Sequence, residues 1–154
     1  MILNYFIWRK ESSRFESGTL NTLADVVPLW NLAIRQSDQD QIWIDLTDAS
    51  GAELAELQTG LGLDEEALRD LTHDSPLPRM HSFKDYDYVI LHRLFYDFSS
   101  QQCEHRGVAM FRGHRFLITS HKKHLGRLFD YIGSLVKGHP EAFLAKGNSR
   151  IFLH

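Results

Sequence analysis

The feature that most constrains the fold is a change of hydrophobic period along the chain. Short segments typical of β-strands alternate with segments whose apolar residues recur every three or four positions, as in amphipathic helices. The order predicts strand, helix, strand, two helices, three strands and a helix. Such an order is typical of an α/β protein with a mixed sheet and helices packed on its faces. The strand-like segments are 2–8, 42–46, 86–98, 104–111 and 115–121.

Local signals mark the ends of the predicted helices. Ser50 and Glu53 have the spacing of a capping box, and Gly60 and Gly62 end the short helix that follows. Asp64 is a candidate cap for a second helix, EEALRDLTH, which two prolines then stop. Two further helices are predicted, at 25–35 and 125–138.

Composition predicts one globular domain over residues 1–154. The chain is 43% hydrophobic, which is enough for a core, and shows neither an internal repeat nor a low-complexity linker. Its single cysteine, Cys103, excludes an internal disulfide and a cysteine-based zinc site. The sequence has no run of roughly 18 to 20 apolar residues, the length that spans a bilayer, and no signal-peptide pattern. We therefore expect a soluble, cytoplasmic chain.

Charge is distributed unevenly. Residues 45–78 carry nine carboxylates and one arginine. Phosphate would be repelled by such a segment, so the sequence argues against a nucleic-acid partner. A solvated pair of helices and a surface that attracts cations are both compatible with this pattern.

Three histidines lie in the stretch GHRFLITSHKKH, residues 113–124. His114 and His121 are separated by about 20 Å if the strand between them rises roughly 3.3 Å per residue, so they are not expected to share an ion. Lys122 and Lys123 would also repel a cation. We therefore interpret these histidines as structural.

Enzymatic signals are weak. Ser120 and His121 are adjacent on a strand, so they point to opposite faces and cannot form a nucleophile–base pair. The sequence contains no GxSxG elbow, phosphate-binding glycine loop or HExxH motif. We expect that the protein is not an enzyme.

Four segments in consistent order carry a family resemblance. They are IWIDL, GLGLDEEALRDLTHDSPLPRM, YDYVILHRLFYD and MFRGHRFLITSHKKHLGRL, and they lie between Ile42 and His154. In this region the chain resembles the cytoplasmic domain of CorA-type divalent-cation transporters; residues 1–41 match only loosely. The resemblance implies an αβα sandwich with a mixed parallel and antiparallel sheet.

The resemblance also implies a function for the longer protein. It would be a homopentameric magnesium channel that also carries cobalt or nickel, with this domain on the cytoplasmic face of the inner membrane. The stalk helix, the membrane helices and their GMN loop would all follow His154, so we expect this chain to be a fragment. We expect the isolated domain to be monomeric or weakly associated, with membrane contact only through the missing helices.

By resemblance, regulatory Mg²⁺ binds between neighbouring cytoplasmic domains. The family's acidic pair falls on Arg69 and Asp70, so Asp70 keeps a carboxylate whereas Arg69 cannot ligate a cation. Asp74, four residues on, is a second candidate ligand. Asp70 lies in the last turn of the predicted helix, where the helix dipole disfavours an anion. If the helix reaches Asp74, the two carboxylates face each other at a further cost, and a bound cation would offset both costs.

Two alternatives remain open. The first is a zinc-transporting relative of the same superfamily, which the histidines slightly favour. The second is a stand-alone soluble metal-binding or sensor domain, or an enzyme built on the same sheet. The downstream reading frame distinguishes them, because a transporter requires a long charged helix and two apolar spans of about 20 residues.

Overall fold

A seven-stranded mixed sheet forms the centre of the computed structural model, which describes residues 1–65 and 78–144. The strand order is β2-β1-β3-β7-β6-β5-β4. The pair β3–β7 is parallel and the other neighbouring pairs are antiparallel, so the predicted mixed sheet is confirmed. The strands are β1 Ile2–Arg9, β2 Arg14–Leu20, β3 Gln41–Thr47, β4 Arg79–Ser82, β5 Tyr86–Asp97, β6 Gln102–Gly113 and β7 Phe116–His121.

The helices connect and cover the sheet. Within the described residues, the α-helices are α1 Val26–Trp30, α2 Gly51–Leu61, α3 Gly126–Gly138 and α4 Pro140–Phe143. Helix α1 is preceded by a 3₁₀ turn, Leu23–Asp25, and continues into a π-helical turn, Asn31–Arg35. A second 3₁₀ turn, Lys123–Leu125, leads into α3. The predicted helix over EEALRDLTH falls almost wholly outside the described residues.

Helix α2 confirms the predicted end signals. The Ser50 hydroxyl accepts from the Glu53 amide at 3.3 Å, and the Glu53 carboxylate accepts from the Ser50 amide at 2.8 Å. The Ser50 amide and hydroxyl both donate to the Glu53 carboxylate, and these two hydrogen bonds hold the pKa of Glu53 below its ordinary value. At the other end, Gly62 adopts a left-handed conformation with φ of 73°, which glycine reaches without the steric cost a Cβ would add.

The two faces of the sheet bury two separate clusters. Along β3, Ile42 and Ile44 point towards α1 and α2, whereas Trp43 points towards α3. Along β7, Ile118 joins the first cluster and Leu117 the second. The sheet therefore has an α2 face and an α3 face, which is the expected αβα sandwich.

Arg115, between β6 and β7, ties the end of the π-helical turn to the sheet. Its guanidinium donates to the carbonyl oxygens of Ala33 at 2.9 Å, Ile34 at 2.8 Å and Ser37 at 2.7 Å. Terminal helix carbonyls lack partners within the helix, so a cation placed here satisfies them and opposes the helix dipole. This contact sets the position of α1 against the sheet.

Strand β4 is an element that the sequence analysis missed. Its four residues, Arg79–Ser82, are all exposed, and they pair with β5 at the edge of the sheet. An exposed edge strand needs no apolar alternation, which explains the missing signal. Strand β4 pairs with β5 as far as Ile90, and β7 pairs with β6 as far as Val108. The β5–β6 hairpin extends past both residues to its turn at 98–101.

Candidate functional site

The predicted ion ligands Asp70 and Asp74, and the neighbouring Arg69, lie outside the described residues. Described residues on either side of positions 66–77 contact β5. The Tyr86 hydroxyl donates to the Asp64 carboxylate at 2.7 Å on one side, and β4 pairs with β5 on the other. Burial, with smaller effects from Asp64, raises the pKa of Tyr86 to about 12, so this hydroxyl keeps its proton at neutral pH.

Among residues 1–65 and 78–144, no group of three or more His, Cys, Asp or Glu side chains is arranged to hold a metal ion. No helix in these two ranges is both long and apolar enough to cross a membrane.

A different group of polar side chains is buried on the α3 face. Its members come from β3 and β7, whose parallel pairing places Asp45 beside Thr119 and Thr47 beside His121. Asp45, Thr119 and His121 are 4%, 0% and 4% exposed, so water is largely excluded from all three side chains. We call this the buried polar cluster, and its members are Trp43, Asp45, Thr47, Thr119 and His121.

Hydrogen bonds in the buried polar cluster converge on the Asp45 carboxylate. The Trp43 indole donates to the Thr119 hydroxyl at 3.0 Å, and that hydroxyl donates to the Asp45 carboxylate at 2.5 Å. The His121 Nε2 lies 3.2 Å and 3.3 Å from the two Asp45 oxygens. The Trp43 indole, the Thr119 hydroxyl, the Asp45 carboxylate and the His121 ring therefore each have a hydrogen-bonding partner, as a dry interior requires.

The ring of His121 is held on three sides. Its Nδ1 lies 3.0 Å from the carbonyl oxygen of Lys122, and its Nε2 faces Asp45. The Phe129 ring of α3 stacks on the imidazole, with ring centroids 3.8 Å apart and planes inclined by 13°. Burial lowers the pKa of His121. The hydrogen bond to Asp45, the negative charge of Asp45, the hydrogen bond to the Lys122 carbonyl and the charge of Asp48 act in the opposite direction, and the pKa lies above the ordinary value.

Asp48 joins the end of β3 to the start of the helical segment after β7. Its amide donates to the His121 carbonyl at 2.9 Å, and its carboxylate accepts from the Lys123 amide at 2.9 Å. Asp48 has a φ of 56°, in the left-handed region that aspartate tolerates better than most residues. The loop after β3 thus supplies an anion at the first turn before α3, where the free amides favour one.

The three histidines of the 113–124 stretch have different surroundings. His114 is exposed in the turn between β6 and β7, His121 is buried at the end of β7, and His124 is exposed. Ser120 and His121 occupy opposite faces of β7, as the strand pattern predicted. Chemically, the buried polar cluster is suited to holding a charge and a proton between β3, β7 and α3.

Sequence reasoning missed this cluster, although two signals pointed to it. Asp45 interrupts the apolar run IWIDL, and a charge in a buried strand requires a partner. Thr119 and His121 are two positions apart in a predicted strand, so they share a face. The pairing of β3 with β7 was not predicted from the sequence. This pairing links residues more than 70 positions apart, and neither strand alone carries a sequence signal for it.

Comparisons with known proteins agree with this architecture. The family model described as "CorA-like Mg2+ transporter protein" matches residues 38–143. The soluble domain of CorA from Methanocaldococcus jannaschii superposes with a TM-score of 0.53 at 19% identity, over 87% of this chain and 46% of that one.

Two longer structures have the same fold. The complete CorA magnesium transporter from Methanocaldococcus jannaschii gives a TM-score of 0.53 at 20% identity, over 90% of this chain and 38% of that one. The full-length CmaX protein gives a TM-score of 0.56 at 14% identity, over 84% and 38%. The chain therefore spans less than half of each of these structures.

No curated protein sequence matches the chain. The family match covers more than half of its residues, and it includes β3, β5, β6, β7 and α3. The fold over the same region is that of the CorA soluble domain. On this evidence, the chain belongs to the CorA-like Mg²⁺ transporter family.

Proposed function

We propose that this chain is the ion-sensing, regulatory domain of a CorA-type magnesium transporter, located on the cytoplasmic face of the inner membrane. The observation that carries the proposal is the agreement between the family match over residues 38–143 and the CorA soluble-domain fold of the same residues. In this proposal the transporter is a homopentamer that also carries Co²⁺ and Ni²⁺.

The acidic part of the chain supports an ion-sensing role. Glu56 and Glu65 are exposed, and the Tyr86 hydroxyl fixes Asp64 against β5. These acids lead directly into the segment that carries Asp70 and Asp74. Mg²⁺ prefers oxygen ligands, keeps several waters and needs only one or two carboxylates. We therefore propose Asp70, with Asp74 as a second ligand, as the residues that contact a regulatory Mg²⁺.

A bound cation would couple sensing to assembly. Two acidic surfaces that face each other across a subunit boundary repel, and Mg²⁺ between them cancels that repulsion. Ion occupancy and the closed arrangement of subunits then favour each other, because the ion binds one arrangement better than the other. Loss of Mg²⁺ would let the subunits separate and the pore open.

The test is a calorimetric titration of Mg²⁺ into the protein made from the complete coding region, compared with its Asp70→Ala and Asp74→Ala variants. We expect weaker Mg²⁺ binding in Asp70→Ala and a smaller loss in Asp74→Ala. Asp85→Ala is the matched control, because Asp85 is an exposed acid between β4 and β5. Equal affinity in wild type and Asp70→Ala would remove Asp70 from the proposal.

The same titration separates the ion alternatives. Zn²⁺, Co²⁺ and Ni²⁺ are added in parallel under identical conditions. If the chain comes from a zinc-transporting relative, we expect that only Zn²⁺ changes the conformation of the whole protein, measured as protection from proteolysis. The magnesium proposal predicts that Mg²⁺ produces that protection and that Asp70→Ala reduces it.

A further inference from the structure

We propose that His121, Asp45 and Phe129 form a proton-sensitive joint, which holds α3 firmly on the sheet when His121 is an imidazolium and less firmly when it is neutral. The joint is a property of the fold described above and does not depend on the transporter proposal. It lies where the ends of β3 and β7 contact the face of α3 that packs on the sheet.

The first support is the identity of the atoms around the imidazole. Nδ1 faces the Lys122 carbonyl oxygen and Nε2 faces the Asp45 carboxylate, and both of these oxygens are acceptors only. A neutral imidazole has one N–H and one lone pair, so one of its nitrogens would point a lone pair at an oxygen. An imidazolium donates to both, and the contact to Asp45 is then charge-assisted.

The second support is the packing of α3. Phe129 stacks on the imidazole. Phe129, Leu125 and Val136 all belong to the hydrophobic cluster on the α3 face of the sheet. A cation placed over an aromatic face is attracted by the ring quadrupole, an effect that strengthens when water is excluded. Protonation of His121 therefore strengthens a contact between the sheet and α3 as well as one within the sheet.

Two carboxylates near His121 favour its charged form against the opposing effect of burial. Asp45 of β3 and Asp48 of the following loop supply two carboxylates near the ring. The neighbour from β6 is Val108 and the neighbour from α3 is Phe129, both of them apolar. Lys122 and Lys123 follow His121 in the chain and have exposed side chains.

Thr47 gives the neutral ring an alternative partner. Its hydroxyl lies 3.4 Å from Nε2 and can donate to that nitrogen once the proton is lost. Asp45 then keeps the Thr119 hydroxyl but loses its hydrogen bond from His121. The joint thus has two hydrogen-bonded arrangements, and only the protonated one contains the ion pair.

The direction of the pH effect follows from the raised pKa of His121. Its stabilising contribution is complete below the unfolded value of 6.5 and is lost as pH rises through the higher folded value. Each unit between the two values corresponds to about a tenfold change in the equilibrium between the native and the opened state. α3 should accordingly open more readily in mildly alkaline than in mildly acidic solution.

Nuclear magnetic resonance tests the proton itself. The His121 Cε1 proton is followed from pH 5 to 9 in the wild-type protein and assigned by its absence in His121→Gln. We expect a midpoint above 6.5, and in Asp45→Asn a midpoint at least one unit lower than in wild type. A wild-type midpoint below 6.5 would overturn the proposal. If His121→Gln does not fold, the more conservative Phe129→Leu, which moves the resonance of the stacked ring, provides the assignment instead.

Amide hydrogen exchange tests the helix. At each pH, the protection of α3 amides in wild type is divided by that in His121→Gln, which removes the pH dependence of intrinsic exchange. We expect this ratio to fall at least fivefold between pH 6 and pH 8.5. In the control His139→Gln, at an exposed histidine just after α3, the corresponding ratio should stay constant. A constant ratio for His121→Gln would contradict the joint.

Discussion

The two faces of the sheet are built from the same two central strands but are held together differently. On the α2 face, β3 and β7 contribute aliphatic and aromatic side chains, such as Ile44 and Ile118. On the α3 face, the intervening positions of the same two strands contribute Leu117 and the buried polar cluster, which includes Trp43. Apolar burial tolerates substitutions that keep volume, whereas a buried ion pair demands specific partners. The α3 face is therefore the more specific and the more pH-sensitive of the two.

The largest effect is expected when the ion pair on the α3 face is broken from one side. Asp45→Ala leaves His121 buried without its acceptor, and we expect a loss of about 3–5 kcal/mol in the free energy of unfolding near pH 6. Urea denaturation measures it, with the exposed Asp85→Ala as control. A loss that is as large at pH 9 as at pH 6 would remove the proposed difference between the faces.

The next effect tests the α2 face. Ile118 is fully buried, and Ile118→Ala removes apolar contact and leaves a cavity, for which we expect a loss of about 2–5 kcal/mol. This loss should be equal at pH 6 and pH 9, because Ile118 belongs to the hydrophobic cluster on the α2 face, opposite the face of β7 that carries His121. Denaturation at both pH values measures it. A strong pH dependence would show that the two faces are coupled.

The smallest effect concerns how each covering helix begins. Helix α2 carries its own capping box. In the segment before α3, the Lys123 amide instead donates to Asp48, which directly follows β3. Ser50→Ala should cost about 1 kcal/mol. Thermal unfolding measures the change, and Thr59→Ala in the same helix is the control. If Ser50→Ala proves neutral, local capping contributes little to the α2 face.

Much of the fold could be predicted from local patterns. The alternation in RFLITSH assigned the faces of β7 correctly, and Ser50 with Glu53 marked the start of α2. These features depend on neighbours within a few residues, which a sequence displays directly. The family resemblance supplied the sandwich architecture, and the comparisons confirmed it.

Features that depend on distant partners were missed or incomplete. Arg115 reaches carbonyl oxygens about 80 positions earlier in the chain, and Asp45 finds His121 only through the parallel pairing of β3 and β7. The π-helical turn after Trp30 was predicted as ordinary helix, because apolar periodicity does not distinguish the two. Asp70 and Asp74 remain predictions from the resemblance.

The position of β7 has a consequence for the order of folding during synthesis. In the sheet, β7 lies between the group β2-β1-β3 and the group β6-β5-β4, yet it is the last strand of the described chain to leave the ribosome. Until residue 121 has emerged, β3 and β6 lack the neighbour that joins them. Contacts between distant residues are slow to form, and unpaired strand edges invite association with other chains. A nascent chain that stalls before residue 116 would therefore present two incomplete sheets and depend on chaperones.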